Sequence, residues 1–115
     1  MNKTKLLKVK INNEVYEYWF KKGTYIHGER TSITANEMGT GEIEILTINL
    51  PNAPLKENET FFKFDYLKEM RQAMIDEGLI EFIETVPYNL GTYERFRFLP
   101  KFEEYCSDVE IEDIY

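Results

Sequence analysis

Apolar and polar residues alternate over several short segments of this chain, and a single stretch has the spacing of a helix. From Leu7 to Ile11 apolar residues alternate with lysines, and Asn12-Asn13 then precedes a second strand-like segment, residues 14–20. Alternation is the period of a half-buried strand, and asparagine tolerates the positive φ that a two-residue turn requires. These residues therefore predict a β-hairpin.

Two segments in the middle of the chain give weaker signals. Residues 24–35 are rich in threonine, tyrosine and isoleucine but alternate poorly, which predicts an edge strand. Over residues 42–50 the apolar positions change parity between Ile45 and Leu46, so either a β-bulge lies there or both faces are covered. We expect one central strand in this segment, packed under a helix, and then a loop over residues 51–60.

One principal helix is predicted immediately before Gly78. Asp65 is a suitable N-cap, and the helix ends at Glu77-Gly78, where glycine supplies the left-handed conformation of a C-cap. Between these ends, apolar residues recur three and four positions apart, as on the buried side of an amphipathic helix. Those residues are Tyr66, Leu67, Met70, Ala73 and Met74.

Residues 79–86 and 92–99 predict a second hairpin, joined by the five residues between them. Both segments are rich in β-branched and aromatic residues, and the intervening loop contains proline, asparagine and glycine. Pairing Phe82 with Phe96 gives this hairpin one aromatic and aliphatic face. We expect this register in the folded protein.

The same register fixes the charged pairs on the opposite face. It places Glu81 opposite Arg97, which is favourable, but it also places Glu84 opposite Glu94. Like charges in direct opposition are destabilising and are tolerable only where solvent screens them. Glu81, Arg95 and Arg97 form a candidate polar groove, although alternating charge on an exposed sheet face also serves solubility alone.

Together these elements predict an α+β domain, with a mostly antiparallel sheet of about five to six strands and one principal helix packed on one face. A chain of 115 residues is long enough to bury a single core without disulfides or a structural metal. We expect one domain over residues 1–103 and an acidic carboxyl-terminal tail over residues 104–115.

The charge of the chain is negative and unevenly distributed. Its 21 acidic and 14 basic side chains give a net charge of −7, which argues against direct nucleic-acid binding because phosphate contacts depend on lysine and arginine. The tail carries Glu110, Glu112 and Asp113, whereas residues 1–10 carry four lysines and no acid. The two ends therefore solvate the protein or attract each other, or the tail docks on a partner. No apolar run reaches membrane-spanning length, and Lys8 interrupts any signal-peptide pattern, so we expect a cytoplasmic protein without membrane attachment.

The sequence has no recognisable catalytic or metal-binding set. His27 is its only imidazole and Cys106 its only thiol, so a multi-histidine site, a thiolate cage and an intrachain disulfide are all excluded. The acidic neighbours of Cys106 also disfavour a reactive thiolate. We therefore predict no catalytic residue, no metal and no cofactor.

Aromatic residues are the feature left without an assignment. The chain has 8 Phe, 8 Tyr and 1 Trp, and most of them are needed to fill the core of a small domain. Tyrosine and tryptophan also bind protein partners well, since each has a large apolar body and a polar group. If one sheet face is left open by the helix, Tyr16 and Tyr18 are candidate partner-binding residues.

Three short motifs resemble a known family. They are residues 46–51 (Leu-Thr-Ile-Asn-Leu-Pro), residues 76–80 (Asp-Glu-Gly-Leu-Ile) and residues 93–98 (Tyr-Glu-Arg-Phe-Arg-Phe). In this order the motifs resemble a DUF4313-like family of small bacterial domains that is common on mobile genetic elements. The resemblance covers residues 5–103 and implies a small α+β fold in a bacterial or phage setting, without an activity to carry over.

Two hypotheses of function follow. The first is a non-enzymatic interaction protein that binds a protein partner through an aromatic sheet face or an acidic surface, with a DNA-mimicking inhibitor as its narrower form. The alternative is a small-molecule-binding domain or enzyme with a pocket between helix and sheet, to which Glu81, Arg95, Arg97 and His27 are the available polar contributors. The sequence leaves the partner's identity and the oligomeric state open.

Overall fold

The computed structural model describes residues 4–24, 31–50, 53, 55–56, 58–62, 68–89 and 91–107. Within these ranges the chain forms two antiparallel four-stranded sheets, one α-helix and one 3-10 helix, which confirms the predicted α+β class. Sheet one has the strand order β1 (Leu7–Ile11), β2 (Glu14–Thr24), β3 (Thr31–Glu37), β4 (Ile43–Ile45). Sheet two contains β5 (Thr47–Ile48), β6 (Glu59–Phe62), β7 (Ile80–Tyr88) and β8 (Gly91–Phe98), in the order β5-β6-β8-β7. The helix α1 spans Lys68–Asp76, and the 3-10 helix spans Pro100–Tyr105.

The first hairpin forms as predicted. Asn12 and Asn13 have φ angles of 52° and 68°, and Ile11 pairs with Glu14 across this two-residue turn. Both central residues therefore adopt the positive φ of a type I′ turn, whose twist matches that of the flanking strands. The second strand continues to Thr24, beyond its predicted end at Phe20, because β3 pairs with its far half.

The predicted edge strand over residues 24–35 is wrong in its position in the sheet. The third strand runs from Thr31 to Glu37 between β2 and β4, and Ile33 and Ala35 are fully buried; residues 25–30 lie outside the described residues. The inward positions of this strand include an acid, Glu37, so its apolar alternation is too short to be recognised from the sequence.

The predicted central strand over residues 42–50 is also wrong, because the chain leaves one sheet and enters the other at Leu46. The fourth strand precedes this residue at the edge of sheet one, and β5 follows it at the edge of sheet two. Leu46 N donates to Ile33 O at 3.0 Å, and Ile33 N donates to Thr47 Oγ1 at 3.1 Å. The change of apolar parity thus marks a crossing between sheets, instead of a bulge or a strand covered on both faces.

A strand is present where the sequence predicted the end of a loop. The sixth strand, Glu59–Phe62, is buried at all four positions and lies between β5 and β8. Thr60 Oγ1 donates to Thr31 O at 3.1 Å, which ties this strand to sheet one. Its short length and two polar residues concealed it in the sequence.

The end of the helix is confirmed in detail. Leu79 N donates to Met74 O at 2.9 Å and Gly78 N donates to Ile75 O at 3.0 Å, while Gly78 has a φ of 78°. These two bonds form a Schellman motif, for which glycine is preferred because it adopts a positive φ without strain. Met70 and Met74 are buried, as predicted; residues 63–67, with the proposed N-cap Asp65, lie outside the described residues. Neither of the two helices in the described ranges has the length and hydropathy of a membrane-spanning helix.

The second hairpin has the predicted register at its base, where Phe82 pairs with Phe96. Its predicted five-residue loop is too long, since Tyr88 pairs with Gly91 across a two-residue turn in which Asn89 has a φ of 54°. Pro87 is tolerated inside a strand because β7 is the edge strand of its sheet.

A register shift between Phe82 and Glu84 removes the predicted clash of acids. Beyond this bulge, Glu84 pairs with Arg95 and Thr85 pairs with Glu94, so the two acids no longer face each other. One extra residue on β7 therefore converts a repulsive contact into an attractive one.

The main core lies between the two sheets and is closed by α1 and the 3-10 helix. It joins Leu7, Val9, Tyr18, Phe20, Ile33 and Ala35 of sheet one to Leu46, Phe62, Ile80 and Phe96, together with Met70, Met74, Leu79, Phe102 and Tyr105. A smaller apolar cluster of Leu50, Ala53 and Phe61 covers the opposite face of sheet two. Most of the aromatic excess noted in the sequence is thus used in packing.

Candidate interaction surfaces

The predicted polar groove residues share one face of sheet two. Arg97 forms an ion pair with Glu81 across the β7–β8 pair. Arg95 Nη2 lies 2.5 Å from Glu84 Oε2, and Arg95 Nε lies 3.5 Å from Glu59 Oε1. The structure therefore brings Glu81, Arg95 and Arg97 together, and adds two acids to them.

These charges are largely satisfied within the chain. The Arg95 side chain is only 14% exposed and that of Glu59 only 4%. Glu59 Oε1 also accepts a hydrogen bond from Lys56 N at 2.9 Å, which fastens the preceding loop to the sheet. An arginine already engaged by two carboxylates has little capacity to bind a further anion, so this face acts mainly as a clamp across β6, β8 and β7.

Tyr16 and Tyr18 lie on the core-facing side of sheet one, which we call its inner face. Tyr18 is 6% exposed and belongs to the main core, while the Tyr16 hydroxyl donates to Glu14 Oε2 at 2.6 Å. Burial, with the nearby charges of Glu37, Glu44 and Glu42, raises the pKa of Tyr18. Of these two predicted partner-binding residues, only Tyr16 has a surface that a partner can reach.

Three acids form an acidic rim beside Tyr18, namely Glu37, Glu42 and Glu44. Glu37 is buried and accepts hydrogen bonds from Gly39 N at 2.6 Å, Thr40 N at 2.8 Å and the Thr40 hydroxyl at 2.8 Å. Burial alone would raise the pKa of Glu37, but these three hydrogen bonds lower it below the ordinary value. Within the described ranges, Glu42 and Glu44 form no ion pair with a basic residue.

Apolar side chains are exposed next to this rim. Ile43 and Ile45 of β4 are 59% and 52% exposed on the outer face of sheet one, which is the side away from the main core. The intervening Glu44 points to the inner face, because it pairs with Ala35 of the core. The fourth strand is thus a short edge strand with isoleucines on one side and the acidic rim on the other.

This strand edge was not predicted from the sequence, although a signal for it was present. The parity change at Leu46 separates the Ile-Glu-Ile segment from the strand that follows. Alternation over three residues, ended by a parity change, indicates a short strand that leaves its sheet. That interpretation places Ile43 and Ile45 apart from the apolar residues after them.

The predicted tail residues Glu110, Glu112 and Asp113 lie outside the described residues. The segment just before them is packed against sheet one: Ser107 N donates to Phe20 O at 2.9 Å, and Lys5 Nζ lies 2.5 Å from Glu104 Oε1. The hydrogen bond and the charge of Lys5 lower the pKa of Glu104. The attraction between the basic start and acidic end of the chain is therefore realised at this pair.

Of the two candidate reactive side chains, only Cys106 lies in the described part of the chain. Cys106 is half-buried, and its Sγ donates to Phe102 O at 3.3 Å. His27 lies outside the described residues. No group of three or more histidine, cysteine, aspartate or glutamate side chains with metal-binding geometry is found among residues that the structure describes.

A cleft of about 370 Å³ lies between β1 and the end of α1. Its polar groups include Lys8, Asp76, Glu77 and Tyr105, and the Tyr105 hydroxyl donates to Glu77 Oε2 at 3.4 Å. The remaining lining residues are Leu6, Leu7 and Ala73. A pocket between helix and sheet therefore exists, but Glu81, Arg95 and Arg97 do not line it.

Comparison with known proteins adds no identification. No family model matches the chain, and neither the curated proteins nor the solved structures include a significant match. The resemblance to the mobile-element family therefore stays a prediction.

Proposed function

We propose that this protein is a non-enzymatic interaction protein whose acidic rim and exposed isoleucines bind a positively charged protein partner. The observation that carries the proposal is the juxtaposition on β4 of Ile43 and Ile45, both more than half exposed, with the acidic rim. Apolar anchors beside unneutralised charge are a combination that favours a protein partner, since the anchors supply affinity and the charge supplies orientation. A cytoplasmic role in a bacterial or phage mobile element is part of the proposal.

The distribution of ion pairs favours this form over broad DNA mimicry. A DNA mimic needs rows of unneutralised carboxylates, yet Glu59, Glu81, Glu84, Glu94, Glu103 and Glu104 each lie next to a lysine or arginine. In the described part, Glu42 and Glu44 lie together on one short strand edge beside Glu37, without a basic ion-pair partner. A basic patch of limited size is therefore the expected target.

Affinity capture with a charge-reversal variant tests the proposal. The tagged chain and the double variant Glu42→Lys/Glu44→Lys are each incubated with lysate of a bacterium that carries the gene, and bound proteins are quantified. We expect a stoichiometric partner with a basic surface, reduced at least tenfold by the double variant. The control is Glu69→Lys/Asp76→Lys, which changes the net charge equally on α1. Equal capture by all three proteins would contradict the proposal.

A small-molecule function has one observation in its favour, the cleft between β1 and α1. Its mixture of leucines with an amine, two carboxylates and a phenol suits a small amphipathic ligand. A ligand that binds there raises Tm, because it prefers the folded state. Thermal-shift screening of the wild type against Ala73→Phe, which fills the cleft, tests this candidate: a true ligand stabilises only the wild type.

A further inference from the structure

We propose that the free edge of β4 accepts an extended segment of the partner as an additional antiparallel strand of sheet one, with a basic residue of that segment between two apolar ones. This inference rests on the proposed function and specifies the mode of binding. Peptide binding by strand addition gains affinity from main-chain hydrogen bonds and specificity from alternate side chains. The fourth strand offers outward-facing backbone groups for such hydrogen bonds, and its side chains alternate between the two faces.

The hydrogen-bond pattern of β4 fixes which backbone groups are available. Glu37 N donates to Glu42 O at 2.9 Å, and Leu46 N donates to Ile33 O at 3.0 Å, so positions 42, 44 and 46 face β3. In an antiparallel ladder the intervening residues direct their N–H and C=O groups the other way. Ile43 and Ile45 therefore present two donors and two acceptors at the sheet edge, and no hydrogen bond from elsewhere in the described ranges occupies them.

Side chains on the two faces of β4 define the chemistry of the added strand. A residue opposite Ile43 or Ile45 shares the outer face with them and is favoured when it is apolar. The residue between lies on the inner face beside Glu44, near the other two acids of the rim. A lysine or arginine at that position gains the attraction of charges that no basic residue of the described chain neutralises.

The same charges disfavour a second copy of this chain as the occupant. A two-fold antiparallel pairing of β4 with itself, centred on Glu44, sets this glutamate opposite its symmetry mate. Like charges directly opposite each other on neighbouring strands are destabilising. The complementary occupant is a basic segment of another protein.

A peptide pair differing only in charge tests the side-chain pattern. The probe is a fluorescently labelled, blocked heptapeptide, Thr-Val-Lys-Val-Lys-Val-Thr, and its control carries glutamate at both lysine positions. By fluorescence polarisation we expect the lysine peptide to bind the wild type at least tenfold more tightly than the control. Glu44→Lys should reduce this binding at least tenfold, whereas Glu69→Lys leaves it unchanged. Equal binding of the two peptides, or equal loss in both variants, overturns the inference.

N-methylation of the peptide tests the backbone contacts without altering the protein. In the antiparallel arrangement the valine amides face β4 and the lysine amides face away. Methylation of all three valine amides should abolish binding, whereas methylation of both lysine amides should change it less than threefold. Equal effects of the two modifications overturn strand addition.

Two further results separate this inference from the proposed function. Ile45→Pro removes an outward N–H at an edge position that tolerates proline, and its folding is checked by circular dichroism. Loss of partner capture by Ile45→Pro supports strand addition. If Ile45→Pro still captures the partner while Glu42→Lys/Glu44→Lys does not, strand addition is overturned and the proposed function is retained. Light scattering that shows a β4-dependent dimer of the wild type would make a second copy the occupant and would also overturn it.

Discussion

The edge strands β4 and β7 differ in how well their outward-facing backbone groups are protected against pairing with another strand. The seventh strand carries a bulge after Phe82, a proline at position 87 and two glutamates paired with arginines of β8. The fourth strand has none of these features and instead exposes Ile43 and Ile45. Proline, bulges and charge are common means of preventing unwanted strand pairing at an edge. The contrast indicates that β7 is protected against association, whereas β4 is open to it.

At the protected edge, Arg95 holds the charged face together through Glu59 and Glu84. Replacing Arg95 with alanine leaves the buried Glu59 carboxylate without its arginine, and removal of one partner of a buried ion pair destabilises by about 3 kcal/mol. We expect a loss of this size in the free energy of unfolding, measured by urea denaturation. This is the largest effect that we predict.

Arg97→Ala is the matched control on the same strand. Arg97 and Glu81 are both about half exposed, so their ion pair should contribute less than about 1 kcal/mol. Similar losses for the two alanine variants would contradict the view that Arg95 is the clamp of this face. The double variant Glu59→Gln/Arg95→Met should recover part of the loss, because it leaves no buried charge unpaired.

The turn that leads into β4 allows a second test of the difference between the two edges, with a smaller expected effect on stability. Glu37 anchors this turn through three hydrogen bonds to its charged carboxylate, and they lower its pKa in the folded state. Above its ordinary pKa of 4.5 the carboxylate is charged in both states and its contribution is complete. As the pH falls from there through the lower folded pKa, the unfolded state binds the proton first and stability is lost.

Glu37→Gln tests this dependence. The neutral amide keeps the shape but weakens the charge-assisted hydrogen bonds, so we expect a loss of about 1 to 2 kcal/mol at pH 7. The difference between wild type and variant should shrink below pH 4.5, in a series of urea midpoints from pH 7 to pH 3. The turn at Asn89, which leads out of β7, has a positive φ, and Asn89→Gly should give a pH-independent effect. A difference between wild type and Glu37→Gln that does not change with pH would refute the proposed role of the carboxylate.

Local patterns predicted the hairpin turn at Asn12-Asn13, the helix end at Gly78 and the Phe82–Phe96 pairing, because each depends on neighbouring residues. The errors fall where distant residues decide. Strand β6 was missed because its burial comes from β5 and β8. The crossing between the two sheets at Leu46 was missed because it depends on hydrogen bonds to Ile33. The polar groove was predicted from cross-strand alternation, but the role of Glu59 required knowledge of that missed strand.

The smallest effect on stability is expected at the open edge itself. Ile43→Lys places a charge where β4 has an exposed isoleucine, as in natural edges that avoid pairing. Since the side chain is largely in solvent, the free energy of unfolding should change by less than about 0.5 kcal/mol. Peptide binding, in contrast, should change markedly: binding of the lysine peptide should fall at least tenfold. Val15→Lys removes an equally exposed apolar residue from β2, and it should leave peptide binding intact. If both substitutions weakened peptide binding equally, exposed apolar surface in general, and not the edge of β4, would account for peptide binding.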